Sequence, residues 1–205
     1  MLWRSAAKMQ ALSNQNYVCV SAIGLVLILT ATAGCTKPAT LGEGKPTLRL
    51  TSSSFQGGNT PTTIPKKFTC DGANVSPELA WAAPPAGTQS FALIAVDRDT
   101  LLSSFTGYQF THWVVYDVPA AARELPENVP NQAQLPDGSR QGQNDFGKPG
   151  YGGPCPHWTS HRYVFTLYAL DSELNLPAES TRQQVEDALK PHILARGELT
   201  GAYHR

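Results

Sequence analysis

Three apolar runs set the pattern of the second half of the chain. Ser90-Phe-Ala-Leu-Ile-Ala-Val-Asp97 is apolar without interruption until it ends in an acid. Such a run predicts a strand buried on both faces whose end emerges at a polar rim. Thr111-His-Trp-Val-Val-Tyr-Asp-Val118 is a second β-rich run, stopped by Pro119, and His161-Arg-Tyr-Val-Phe-Thr-Leu-Tyr-Ala-Leu170 is the third and longest. Thr47 to Thr51 alternates and predicts a first strand, and Glu198 to Tyr203 a short final one. Ser52 to Thr63 is rich in turn residues. One helix is signalled: Ser180 followed by Gln183 has the spacing of a capping box, and Val185 and Leu189 fall on one face before Pro191 breaks or restarts it. The pattern is mainly β with one short C-terminal helical segment.

Leu125 to Trp158 interrupts this pattern. It is rich in Pro, Gly, Asn and Gln and has almost no apolar periodicity. A connection of that length is functional or disordered. Phe146, Tyr151 and Trp158 within it argue for an ordered loop folded over something.

The N-terminus follows a different logic. Arg4 and Lys8 make a basic start, Val18 to Leu29 is apolar, and small residues lead to Thr32-Ala-Gly-Cys35. This is the layout of a secretory signal, too short and interrupted for a membrane-spanning helix. The residues before Cys35 resemble a bacterial lipobox, with Thr32 where an aliphatic residue is usual. The expectation is therefore an export signal over 1–34, a lipid anchor on Cys35, a flexible tether over 35–46 and a folded domain over 47–205. That places the protein at the cell envelope, held to a membrane.

Composition narrows the function classes. The chain has 205 residues, with 16 Lys and Arg balanced by 16 Asp and Glu. Net neutrality gives no basic stripe for nucleic acid. Of four cysteines, only Cys70 and Cys155 fall inside the expected domain. They are either a disulfide, which export permits, or two free buried thiols. Neither has the spacing of a zinc site or a CxxC redox pair, and nothing calls for a metal or a cofactor.

Four segments carry polar, ring-bearing or glycine residues at the ends of apolar strands: Cys70-Asp-Gly-Ala-Asn-Val-Ser-Pro77, Asp97-Arg-Asp99, His112-Trp113, and Gly150-Tyr-Gly-Gly-Pro-Cys-Pro156 with His161-Arg-Tyr163. Read alone, His112 is a core histidine, Asp97 a turn cap or a partner of Arg162, Gly150 to Gly153 a tight turn and Tyr163 core packing. The ordered set, continued by Asn144-Asp-Phe-Gly147 and Leu199-x-Gly201-x-Tyr203, resembles the bacterial branch of the phosphatidylethanolamine-binding protein family, the Raf kinase inhibitor-like proteins. The resemblance covers Phe68 to Arg205 and implies a Greek-key β-sandwich with an anion pocket at one end. It implies Asp97, His112, Gly153, Pro154, His161 and Tyr163 as the pocket, with Arg162 structural. Imidazoles, a phenol and glycine-turn N–H groups supply donors to an anion, and Asp97 accepts from an imidazole and holds its tautomer.

Two departures from the family pattern bear on the pocket. Asp97-Arg-Asp-Thr100 lacks the usual prolines, and His157-Trp158 follow Pro156 where proline and glycine are usual. The function implied is a non-catalytic module binding a phosphate-like or phospholipid head group at a membrane. The alternative is an inhibitor of an extracytoplasmic protease or another protein target. An enzyme is disfavoured: there is no GxSxG elbow, and Cys155 sits between prolines without an obvious base other than nearby His157.

Overall fold

The computed structural model describes residues 47–205, except 56, 58–60 and 83. The expected export signal, Cys35 and the tether to residue 46 lie outside the described residues. The strands are β1 (Leu50–Thr51), β2 (Thr62–Thr63), β3 (Leu79–Trp81), β4 (Ser90–Asp97), β5 (Phe110–Pro119), β6 (Glu124–Leu125), β7 (Arg140–Gln141), β8 (His161–Leu170) and β9 (Ile193–Tyr203). The helices are α1 (Leu101–Thr106) and α2 (Arg182–Leu189). No helix among the described residues is long and apolar enough to cross a membrane.

The strands form a three-stranded sheet, β1-β3-β6, and a six-stranded sheet, β2-β9-β8-β4-β5-β7. β4, β5 and β7 are antiparallel neighbours, and β8 returns through the long connection to lie antiparallel beside β4. That spatial order is a Greek key. β4 is buried along its whole length because both faces are covered. On one face Phe91, Leu93 and Ala95 join Trp113, Phe165 and Leu167 against Leu50, Leu79, Trp81 and Leu125 of the smaller sheet. On the other, Ala92, Ile94 and Val96 pack with Val114 and Tyr116 towards Val185 and Leu189 of α2. The unbroken apolar run was the correct signal for this doubly covered strand.

The structure moves four boundaries. β5 starts one residue early, at Phe110, and runs through Pro119 where a stop was expected, Pro119 pairing with Ser90. The capping box belongs to Thr181 and Gln184, one residue beyond the expected pair; Ser180 is turned inward and donates to the Pro177 carbonyl at 2.7 Å. Burial of the Ser180 hydroxyl removes it from the cap, and Thr181 takes the N-cap position. The last strand begins at Ile193, not Glu198, because its inner positions are the small residues Ala195 and Gly197, which give no apolar pattern. A side chain at Gly197 would collide with the Leu48 backbone crossing it. The first strand is shorter than expected, because Thr47 pairs with Arg196 of β9 while Leu50 and Thr51 pair with β3 of the other sheet.

Candidate functional site

Three antiparallel strand ends meet at one edge of the larger sheet. The register sets Asp97, the last residue of β4, opposite Tyr163 of β8 and Phe110 of β5. His161 opens β8 and faces Tyr203 at the end of β9. His112 arrives by a different route. Ala95 pairs with Trp113 while Val96 pairs with Thr111, so His112 is the extra residue of a β-bulge. A bulge breaks the alternation of side chains and can re-aim one of them. Here it brings His112 to the same cavity as Asp97, Phe110 and His161.

That cavity has a volume of about 610 Å³. Asp97, His112 and His161 form its polar base, Phe110, Phe146 and Leu101 an apolar wall, and His157 and Trp158 part of its mouth. His112 is only 4% exposed. Its Nδ1 lies 2.6 Å from the Gly152 carbonyl oxygen, which can only accept, so Nδ1 carries the proton. The Gly152 N–H donates back to the His112 carbonyl at 2.9 Å. Burial drives the His112 pKa down, against the opposing pull of the Gly152 carbonyl and the Asp97 charge. The ring is also gripped edge-on by Phe146 and Tyr163, with centroids at 5.4 and 5.1 Å.

His161 is held by Asp97. Its Nδ1 lies 2.7 Å from Asp97 Oδ2, while Oδ1 of the same carboxylate accepts the Asp99 N–H at 2.8 Å. Both histidines therefore have Nδ1 committed to a backbone or carboxylate acceptor. Their Nε2 atoms have no partner among the described residues, and both rings line the cavity. Among the described residues lining it there is no Lys or Arg, and no three His, Cys, Asp or Glu side chains are grouped as metal ligands.

The remaining expected site residues stand behind the wall. Gly153, Pro154 and Tyr163 do not line the cavity. The Gly153 N–H, expected as an anion donor, is committed to Asn74 Oδ1 at 2.8 Å. Pro154 gives its carbonyl to the Cys70 N–H at 3.0 Å. The Tyr163 hydroxyl is buried beside the Asp97 carboxylate and the Cys155 N–H without completing a hydrogen bond to either. Burial first, and then the Asp97 charge, push its pKa up. Arg162 is structural as expected, but its partner is Asp99, not Asp97. Nε and Nη2 donate to the two Asp99 oxygens at 2.8 and 2.7 Å, which holds the Asp99 carboxyl below its usual range.

Cys70 and Cys155 form a disulfide, with Cα atoms 5.4 Å apart. It ties the loop bearing Gly153 to the segment after Phe68. Tyr151 pins the same loop from below, its hydroxyl donating to the Phe68 carbonyl at 2.8 Å. With Cys155 bonded, it is not a free thiol, which removes the cysteine as a nucleophile. Phe110, Gly152 and Leu101 belong to the site but were not singled out from the sequence. Phe110 lies one residue before the β-run and gave no signal of its own, and Gly152 was hidden beside Gly153.

Comparison with known proteins gives a consistent result. Residues 51–204 match the family model described as phosphatidylethanolamine-binding protein. The UPF0098 protein of Methanothermobacter thermautotrophicus is 44% identical over 142 residues, 69% of this chain and 91% of its own. That of Aquifex aeolicus is 44% identical over 161 residues, 77% and 89% of the two chains. Among solved structures, CT736 of Chlamydia trachomatis, described as a homologue of phosphatidylethanolamine-binding protein, superimposes with a TM-score of 0.68 at 35% identity. It is covered over 98% of its length by 78% of this chain. E. coli YbcL gives 0.67 at 32%, covering 77% and 98% of the two chains. The matched region makes up 89–98% of the length of each of these four relatives. This chain belongs to the phosphatidylethanolamine-binding protein family.

Proposed function

We propose that the domain is a non-catalytic binding module that takes a phosphate-like oxyanion, such as a phospholipid head group, into the cavity between His112 and His161, and that lipidated Cys35 tethers it to a membrane of the cell envelope. The observation that carries the reading is the pair of imidazoles with Nδ1 locked, both lining a cavity that has no Lys or Arg in its described lining and a third imidazole, His157, at its mouth. A neutral imidazole protonated on Nδ1 offers a lone pair at Nε2, not a donor. An oxyanion therefore binds together with a proton, carried on Nε2 or on its own hydroxyl. Asp97 keeps His161 oriented for this and stays off the anion. Phe110 and Phe146 lower the local polarity, so each hydrogen bond to the ligand counts for more.

The test is calorimetric titration of the domain with inorganic phosphate and with phosphoethanolamine. Affinity is expected to rise as pH falls from about 8 to about 6, because binding takes up a proton. His112→Ala and His161→Ala are each expected to weaken binding about tenfold or more, ~1.4 kcal/mol. Unchanged affinity in both variants refutes the pocket assignment, and affinity that rises with pH refutes the proton linkage.

A further inference from the structure

We propose that the rim of this cavity is a docking surface for a lipid bilayer, which seats the pocket mouth on the membrane interface through apolar side chains and not through charge. The observation is one of distribution. Leu101, Leu102, Phe105, Tyr108, Phe146 and Trp158 are the exposed large apolar residues among the described part of the chain. All belong to the segments that frame this one cavity: Leu101, Phe146 and Trp158 line it, and Leu102 and Phe105 share α1 with Leu101. Tyr108 follows α1, and its hydroxyl donates to Asp145, next to Phe146. At 84%, 83% and 94% exposure for Leu101, Phe105 and Trp158, the rim presents on the order of 800 Å² of apolar surface, against roughly 300–600 Å² for the largest patch on a typical monomer.

α1 is the most telling part. Its sequence, Leu-Leu-Ser-Ser-Phe-Thr, has no charge, and none of its residues is buried. Yet it is well held: the Thr100 hydroxyl caps Ser103 N–H, the Ser103 hydroxyl donates to the Arg98 carbonyl at 2.9 Å, and Gly107 closes the helix in the left-handed region. A built, uncharged helix with large apolar side chains in water is a surface waiting for a cover.

Three features favour a bilayer as the cover. Leu and Phe beside Trp and Tyr is the composition of an interfacial anchor, in which aromatic rings sit at head-group depth. The rim surrounds the mouth of a cavity sized for a head group. The tether is also long enough. Thr47 pairs with Arg196, while the cavity end of β9 is at Tyr203, so roughly 23 Å of strand separates them. The chain from Cys35 to Thr47 reaches roughly 40 Å when extended. A domain anchored at Cys35 can therefore lay its rim on the same bilayer. The inference deepens the proposed function, since the rim would deliver a head group to the pocket, but the rim itself needs neither anchor nor bound anion.

The experiment uses residues 36–205, the expected exported chain without the anchored Cys35. It is floated with vesicles of pure phosphatidylcholine and with vesicles containing phosphatidylglycerol, and Trp fluorescence is followed. Expected are flotation with both, indifference to added salt, and a blue shift lost in Trp158→Ser. The double variant Leu102→Ser/Phe105→Ser, exposed and outside the cavity lining, is expected to lose flotation at least tenfold with unchanged thermal stability and unchanged phosphate affinity. His112→Ala is expected to float normally, which separates failure of the pocket from failure of the rim. Absence of flotation, flotation untouched by the double variant, or flotation only with the anionic vesicles and abolished by salt would overturn the proposal. So would a concentration-dependent dimer dispersed by the double variant, which would make the cover a second copy.

Discussion

Gly153→Ala distinguishes a packing role from a ligand-donor role at this position. A Cβ on Gly153 would lie 2.5 Å from Asn74 Oδ1 and 2.9 Å from Thr69 Cα, and closer still to the Phe68 carbonyl oxygen. Two of these are backbone atoms that cannot move aside. The Cys70–Cys155 bridge ties the facing segments together, and Cys70 N–H to Pro154 and Tyr151 hydroxyl to Phe68 carbonyl hold them further. Overpacking of this kind costs about 1–3 kcal/mol. Pushing Asn74 away also removes its hydrogen bond to the Gly153 N–H, about 1 kcal/mol more. The expected loss is thus about 2–4 kcal/mol, which for a domain of this size lowers the melting temperature by roughly 5–15 °C. Gly152→Ala provides the contrast. The three atoms nearest its Cβ would all belong to the ring of Phe146, a half-exposed side chain that can swing out, so stability should fall by less than about 1 kcal/mol while the cavity wall is disturbed. The assay is thermal unfolding followed by circular dichroism, paired with phosphate titration. If Gly153→Ala melts within a degree or two of the parent, or if it loses phosphate affinity at unchanged stability, the reasoning from close packing is wrong.

Two further outcomes follow from the same geometry. Burial lowers the His112 pKa in the folded state. Between that lowered value and the unfolded value of about 6.5, the unfolded chain therefore binds a proton that the folded chain does not. This contribution to stability is full above about pH 6.5 and is lost as pH falls towards the folded pKa. Urea midpoints measured from about pH 7 to 5 should fall accordingly, with a shallower slope in His112→Gln; an identical slope would assign the effect to other groups. The disulfide closes a sequence separation of 85 residues. Reduction, or the paired change Cys70→Ala/Cys155→Ala, should cost about 2–5 kcal/mol by loss of the constraint on the unfolded chain. Equal denaturant midpoints with and without reductant would contradict this.

Much of the framework was legible because it rests on burial, which sequence reports directly. β4 and β8 have the predicted limits of Ser90–Asp97 and His161–Leu170. An eight-residue apolar run has few ways to leave water other than as a strand covered on both faces. Polar and ring residues at the ends of the apolar runs were legible too, but it is the antiparallel register that brings Asp97, Phe110, His112 and His161 to one cavity. The helix face of Val185 and Leu189 was readable because it too is buried. Short-range choices were not. Ser180 and Thr181 are both able caps, and only the fit of Ser180 against Pro177 decides between them. The partner of Arg162 was open between two acids two residues apart; β4 ends at Asp97, which holds His161, and Asp99 beyond it meets both the backbone N–H and the guanidinium of Arg162.

By itself, then, the chain's pattern determined a mainly β fold and the three strands that carry its core, while its motifs, through their family resemblance, implied the sandwich. Local burial and family-like motifs are encoded one segment at a time, so they survive in a linear reading. The tertiary structure alone decided how those residues are used. A one-residue bulge, invisible in the pattern, brought His112 to the cavity of Asp97 and His161. The approach of Asn74 and Phe68 turned Gly153 from an expected donor into a packing residue. Only in three dimensions do α1, Phe146 and Trp158 frame a single mouth. These are long-range coincidences between segments tens of residues apart. They depend on register and packing and leave no periodicity to read.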